Sequence, residues 1–183
     1  MTSEDLTVNE NVIIDNILNR TSVREYNSTR PIPVSIQNDI LHAGMSAPSA
    51  CNRQPWTFVI VDDPIILRQL AAALPYAKMA ANAPLAIIPC GDSSRFLPSE
   101  DSSLWIQDLA AVSENILLSA QAFGLGAVWT SVYPHADRQH AVSRNLNLPD
   151  SINPFNVIPI GYPNKPHTPH DKWDPARIHH NRW

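Results

Sequence analysis

SAPSACNRQPWTFVIVDD, Ser46 to Asp63, is the stretch whose reading decides the fold. A helical run ends in Pro48-Ser49-Ala50-Cys51-Asn52, Arg53-Gln54-Pro55-Trp56 follows, and then the run Phe58-Val59-Ile60-Val61. A plain connection needs a Gly or one Asn. This one places Ser49, Asn52, Arg53 and Gln54 between two prolines, Pro48 and Pro55. The run after it is nearly all apolar, which predicts a strand buried on both faces. The turn reads as built to hold something.

Working outward, Ile13, Ile14, Ile17 and Leu18 recur at helical spacing, with Asn9 as the expected cap and an end near Arg20-Thr21-Ser22. PVSIQNDILHAGM predicts a second helix opened by Pro33 and Ser35, with Ile36, Ile40 and Leu41 inward. PIILRQLAAAL predicts a third, starting at Pro64, a good first-turn residue. APLAIIPCGD, GAVWTSV and FNVIPIGYP predict three further strands, the last a structural central one, and ADRQHAVSRNLNL another helix. The longest helix, about 20 residues over SSLWIQDLAAVSENILLSAQAFGLG, ends at Gly124 in the usual C-terminal position. It is apolar around much of its circumference, so it belongs in a subunit interface or in the core of its own chain, with the interface favoured. Helices alternating with apolar strands make the class α+β, with an α/β-like character.

A chain of 183 residues fits one domain, 1–183, with 163–183 as an extended C-terminal arm. Seventeen prolines against five glycines suggest rigid loops. A net charge of −4 with no basic tract gives no argument for nucleic acid. The acidic N-terminus lacks a long apolar segment and is not expected to be a signal peptide, and no run approaches the roughly 20 residues that span a bilayer. Two cysteines without metal-ligand spacing suit a reducing compartment, so a cytoplasmic location is expected.

Arg20, Thr21, Ser22 and Arg24 fall within five positions, two guanidiniums with two hydroxyls, as a phosphate requires. Neither Gly-x-Gly-x-x-Gly nor Gly-x-x-x-x-Gly-Lys-Thr is present, so Rossmann and P-loop phosphate binding are not supported. The seven histidines show no helical ligand pair with a carboxylate, and no metal site is expected. Cys51 sits in the polar turn as a possible nucleophile, but a small apolar spacer is the preferred role.

RTSVREY, SAPSACNRQPWTFVIVDD, WIQDLAAVSENILLSAQAFGLGAVWTS and NVIPIGYP, in this order and at these distances, closely resemble the nitroreductase family of flavin enzymes, in its compact branch. The Ala-Pro-Ser-Ala-x-Asn-x-Gln-Pro-Trp block is the most specific piece. The resemblance implies a mostly antiparallel central sheet flanked by helices, an intertwined homodimer, and flavin mononucleotide (FMN) at its interface. By the same resemblance, Arg20 and Ser22, with Thr21 by its backbone, hold the flavin phosphate, and Arg24 reaches the pyrimidine edge, where reduced flavin collects negative charge. Pro48, Ser49, Ala50, Asn52 and Gln54 come from the other subunit and edge the ring and ribityl chain, while Trp56 is plain core packing. Trp129, Thr130 and Ser131 lie where the family contacts flavin N5, and Lys172 or Arg182 adds charge at the phosphate. Some members carry a lysine that touches the nicotinamide cofactor, to which Lys78 is a loose match.

The implied activity is reduction of nitroaromatics, quinones or similar small acceptors by NAD(P)H, in ping-pong hydride transfer through FMN. The flavin carries the chemistry and no protein group acts as acid or base. Alternatives are a flavin-destroying, dehalogenating or dehydrogenating relative, or a flavin-binding sensor or store without turnover.

Overall fold

The computed structural model describes residues 3–183, with side chains from residue 11 onward. Helices α1 (Ser3–Asn19), α2 (Val34–Met45), α3 (Pro64–Ala73), α4 (Trp105–Ala122) and α5 (Ala136–Leu146) surround one six-stranded sheet. Its strands are β1 (Trp56–Val61), β2 (Leu85–Asp92), β3 (Gly126–Ala127), β4 (Thr130–Ser131), β5 (Ile152–Pro154) and β6 (Asn156–Gly161). The order is β1-β2-β6-β3, with β4 also on β6 and β5 also on β2, and every strand pairing is antiparallel.

Alternation along β2 and β6 builds a core on each face of the sheet. Leu85, Ile87, Ile158 and Ile160 face α2 and α4, where they meet Ile40, Val112, Ile116 and Ala120. Ala86, Ile88 and Val157 face α3 and α5, against Leu67, Leu70 and Val142. Both faces being covered, these two central strands read as continuous apolar runs. The fourth predicted strand is β6, and it lies at the centre of the sheet as expected.

β1 carries the same apolar signal but lies at the sheet edge, and Ile60 is 41% exposed, so burial on both faces does not hold for it. A run of apolar residues does not say whether a strand has one neighbour or two. GAVWTSV is not one strand. It divides into β3 and β4 around Val128 and Trp129, and Thr130 Oγ1 donates to the Val157 carbonyl at 2.6 Å.

Asp63 caps α3, its carboxylate accepting from the Ile65 and Ile66 amides at 2.6 and 3.4 Å, with Pro64 in the first turn. Asn9 is not a cap, because α1 begins at Ser3 and Asn9 lies within it. The longest helix departs from the favoured interface reading and follows the alternative, a place in the core of its own chain. α4 is a core helix, with Leu109, Val112, Ile116 and Ala120 fully buried within its own chain. Val12, Ile13, Ile14, Ile17 and Leu18 of α1 are instead exposed, at 45–66%. α1 touches the body at Asn16, whose side-chain amide donates to the Leu118 carbonyl at 3.0 Å.

Ile116 is wholly buried where α4 meets α2 and the sheet. Ile116→Ala is expected to lower the unfolding free energy by about 2–5 kcal/mol, read by urea denaturation.

Candidate functional site

The Arg20–Tyr26 segment is held to the sheet by its backbone. Ser22 bridges Ala127, and the Val23 amide donates to the Ala127 carbonyl at 3.0 Å. Thr21 and Val23 line one depression and Arg24 another, so these side chains leave the segment in different directions. Val23 packs onto the open face of Gly126, where a Cβ would lie 2.5 Å from the valine Cβ. Three residues on, the Tyr26 hydroxyl lies 2.5 Å from the Val23 carbonyl and 3.1 Å from the Pro159 carbonyl. Burial pushes the Tyr26 phenol well above its ordinary pKa, so it stays a donor.

Arg20 meets Glu114 of α4 at 3.5 Å, whereas among the described residues Arg24 makes only a long contact, 3.5 Å, to the Ser22 carbonyl. Arg24 lines a cleft of about 380 Å³ with Pro75, Tyr76, Lys78, Met79, Val128, Trp129 and Thr130. Arg24 from one candidate segment and Trp129 and Thr130 from another therefore meet there, while Arg20, Ser22 and Ser131 do not line the cleft. Pro75, Tyr76 and Met79 carried no spacing signal in the sequence, and they reach the cleft from the connection after α3. Lys78 enters by the same route.

Within 129–131 the side chains divide their work. The Thr130 hydroxyl is committed to the Val157 carbonyl and buried. The Trp129 indole donates to Ser131 Oγ at 3.1 Å, and indole accepts nothing, so the exposed Ser131 hydroxyl keeps its own proton to give. Arg138 of α5 donates to the Ser131 carbonyl at 3.2 Å.

The polar turn is knotted by its own groups. Ser49 Oγ accepts from the Gln54 amide at 2.9 Å, Gln54 Nε2 donates to Asn52 Oδ1 at 3.1 Å, and the Ala50 amide donates to the Asp108 carboxylate at 3.0 Å. Cys51, Asn52 and Gln54 adopt φ of 50°, 53° and 49°. Each left-handed non-glycine residue costs about 1–2 kcal/mol. Cys51 is exposed, and Trp56 packs half-buried between two core clusters, as read from the sequence.

Pro48, Ser49, Ala50, Asn52 and Gln54 line neither that cleft nor the depression of about 400 Å³ formed by Asn19, Thr21, Gln121 and the Pro163–His167 stretch. Lys172 and Arg182 are exposed and line neither. The start of the arm is fixed, with Asn164 Nδ2 donating to the Tyr26 carbonyl at 2.8 Å and Lys165 Nζ to Glu25 at 2.8 Å. The hydrogen bond from Lys165, aided by its charge, holds the Glu25 carboxyl below its usual range. Among the described residues no group of His, Cys, Asp and Glu is placed to hold a metal ion.

Comparison with known proteins assigns the class. The fold is that of the nitroreductases. A solved structure from Parabacteroides distasonis, provisionally named an NADH dehydrogenase/NAD(P)H nitroreductase, superposes with a TM-score of 0.89 at 45% identity, over 94% of this chain and 99% of that one. An FMN-dependent nitroreductase from Clostridium difficile superposes at 0.85 with 25% identity, over 93% and 99% of the two chains. A relative from Methanothermobacter thermautotrophicus with the same provisional name is 40% identical over 171 residues, 93% of this chain and 87% of its own length. The family model described as Nitroreductase family matches residues 17–74 and 67–162. The chain belongs to the nitroreductase family and is an oxidoreductase.

The two thiols test the placement of the turn. Burial pushes the Cys90 thiol up to about 12, so it holds almost no thiolate at pH 8, whereas Cys51 is exposed. Iodoacetamide at pH 8 is expected to label Cys51 in the native protein and Cys90 only after denaturation, as peptide mass spectrometry reads directly.

Proposed function

We propose that the protein is an NAD(P)H-dependent oxidoreductase that binds FMN between two copies of this chain. The observation that carries the reading is the division of the candidate residues. Arg24, Trp129 and Thr130 meet in one cleft, while the strained polar turn lies elsewhere on the same chain. A second copy would bring a turn to each cleft and complete both sites.

The residues fit the cofactor chemically. Arg20 and Ser22, with the Thr21 backbone, offer charge and short donors to a phosphate. Arg24 supplies a cation for the pyrimidine edge, and the Ser131 hydroxyl, turned outward by Trp129, supplies a donor for N5. Pro48, Ser49, Ala50, Asn52 and Gln54 would edge the ring from the partner, with Lys172 or Arg182 adding charge at the phosphate. When bound, FMN supplies two-electron hydride chemistry between NAD(P)H and a small acceptor such as a nitroaromatic or quinone. The chain's part is to bind, orient and stabilise charge.

Exposed apolar surface supports the dimer. Val12, Ile13, Ile14, Ile17 and Leu18 on α1 and Trp173, Ile178 and Trp183 on the arm are apolar and unburied, more than a lone small chain ordinarily shows. We read the chain as one domain over 1–183, whose arm, 163–183, wraps the partner. No described helix is long and apolar enough to cross a membrane. A cytoplasmic location fits the two free cysteines.

The purified protein is expected to be yellow, or to become so with FMN, to bleach anaerobically with NAD(P)H and to recover colour on adding a nitroaromatic or quinone. Light scattering should give about twice the 20.3 kDa chain mass. A yellow protein that NAD(P)H cannot bleach would be a flavin store, and an active single-chain species would rule out the shared site.

A further inference from the structure

A polar pair lies inside the core between α4 and β6. Ser113 and Asn156 are both wholly buried. Ser113 Oγ donates to the Leu109 carbonyl at 2.7 Å, which commits its one proton, so it accepts from Asn156 Nδ2 at 2.9 Å. That bond fixes which branch of the Asn156 amide is the nitrogen. The other branch, Oδ1, is an acceptor buried without a hydrogen-bond partner among the described residues. An orphaned acceptor in a core is costly to keep and calls for a reason. Asn156 is the direct cross-strand partner of Ser131 where β4 pairs with β6. Such partners project their side chains from the same face of the sheet, close enough to interact. Ser131 Oγ accepts from the Trp129 indole at 3.1 Å, and its own proton has no acceptor among the described residues.

We propose that Asn156 is a positioning residue of the redox cycle, taking the proton of the Ser131 hydroxyl when the flavin is reduced. The proposal rests on the FMN reading above, with Ser131 at N5. In oxidised flavin N5 is an acceptor, and the Ser131 hydroxyl donates to it. On reduction NAD(P)H gives a hydride to N5 and leaves as NAD(P)+, and the negative charge gathers at the pyrimidine edge beside Arg24. N5 then carries a hydrogen and is a donor. Ser131 Oγ has two lone pairs, one for the Trp129 indole and one for N5–H, and its single proton needs a new acceptor. Asn156 Oδ1 is that acceptor. The two groups are not hydrogen-bonded in the structure, so the Ser131 side chain turns with its proton, and no proton leaves it. Asn156 thereby favours the reduced cofactor over the oxidised one.

The test is the midpoint potential of the FMN-loaded protein, measured by dye equilibration, with the affinity for oxidised FMN measured beside it. Asn156→Leu keeps a branched side chain and removes the acceptor. It is expected to weaken reduced FMN about tenfold relative to oxidised FMN, the scale of one hydrogen bond. For a two-electron couple that is a midpoint fall of about 30 mV, with the affinity for oxidised FMN unchanged. Ser131→Ala changes an exposed residue. It removes one hydrogen bond from the oxidised state and two from the reduced state, so its midpoint should fall as well, and Ser131→Thr should hold the wild-type value. Adding Asn156→Leu to Ser131→Ala should cause no further fall. A wild-type midpoint in Asn156→Leu would overturn the proposal. So would an equal fall from Asn156→Leu with and without the Ser131 hydroxyl, since the amide would then act through packing. If Asn156→Leu does not fold, a Ser131→Ala midpoint at or above that of the wild type overturns it alone. A protein that takes up no FMN would remove this proposal and the cofactor reading together. Bleaching by NAD(P)H with a midpoint indifferent to Asn156 would remove this proposal only.

Discussion

The structure depends on how the Arg20–Tyr26 segment is fastened to the sheet. The Val23 amide to the Ala127 carbonyl, Val23 against the bare face of Gly126, and the Tyr26 hydroxyl between the Val23 and Pro159 carbonyls fix it from three directions. None of these contacts is chemical in purpose, yet together they hold in place the segment that carries Arg20, Ser22 and Arg24. The same fastening reaches the C-terminal arm, because Asn164 holds the Tyr26 carbonyl and Lys165 holds Glu25. A cofactor bound by this segment would therefore be coupled to the central strand β6 and to the arm at once.

The polar turn makes the opposite use of its sequence. Its side chains are occupied with one another, and three consecutive or near-consecutive left-handed residues make it costly. Pro48 and Pro55 and the anchor from Ala50 to the buried Asp108 hold it in that shape. A turn so constrained meets a ligand with little further ordering to do, which is where preorganisation adds affinity.

The elements and the central place of β6 were legible because periodicity and apolar runs report local structure and burial. The edge position of β1 was not, since its neighbours are set by topology and not by its own residues. The enclosure of α4 and the exposure of α1 were not legible for a similar reason. Both carry apolar residues over wide arcs, and only the packing of α2 and the sheet decides which one is covered. At the site, Arg20, Ser22, Arg24 and the turn stood out through chemistry concentrated in a few positions. Tyr76 and Met79 did not, and Lys78 stood out only as a loose match to the family, because each lies in an ordinary context and is brought to the cleft by the connection after α3. The pairing of Arg20 with Glu114 was equally invisible, as its partner lies on a distant helix.

The central claim is that the fastened segment presents its cations to FMN, and Tyr26→Phe tests it most directly. The variant keeps the ring and removes the one hydroxyl shared by the Val23 and Pro159 carbonyls, a loss of about 1–3 kcal/mol in a buried setting. FMN affinity, measured by fluorescence titration on variant protein that still unfolds cooperatively, is predicted to fall by about tenfold or more. A folded Tyr26→Phe protein that binds FMN as tightly as the wild type would contradict the account.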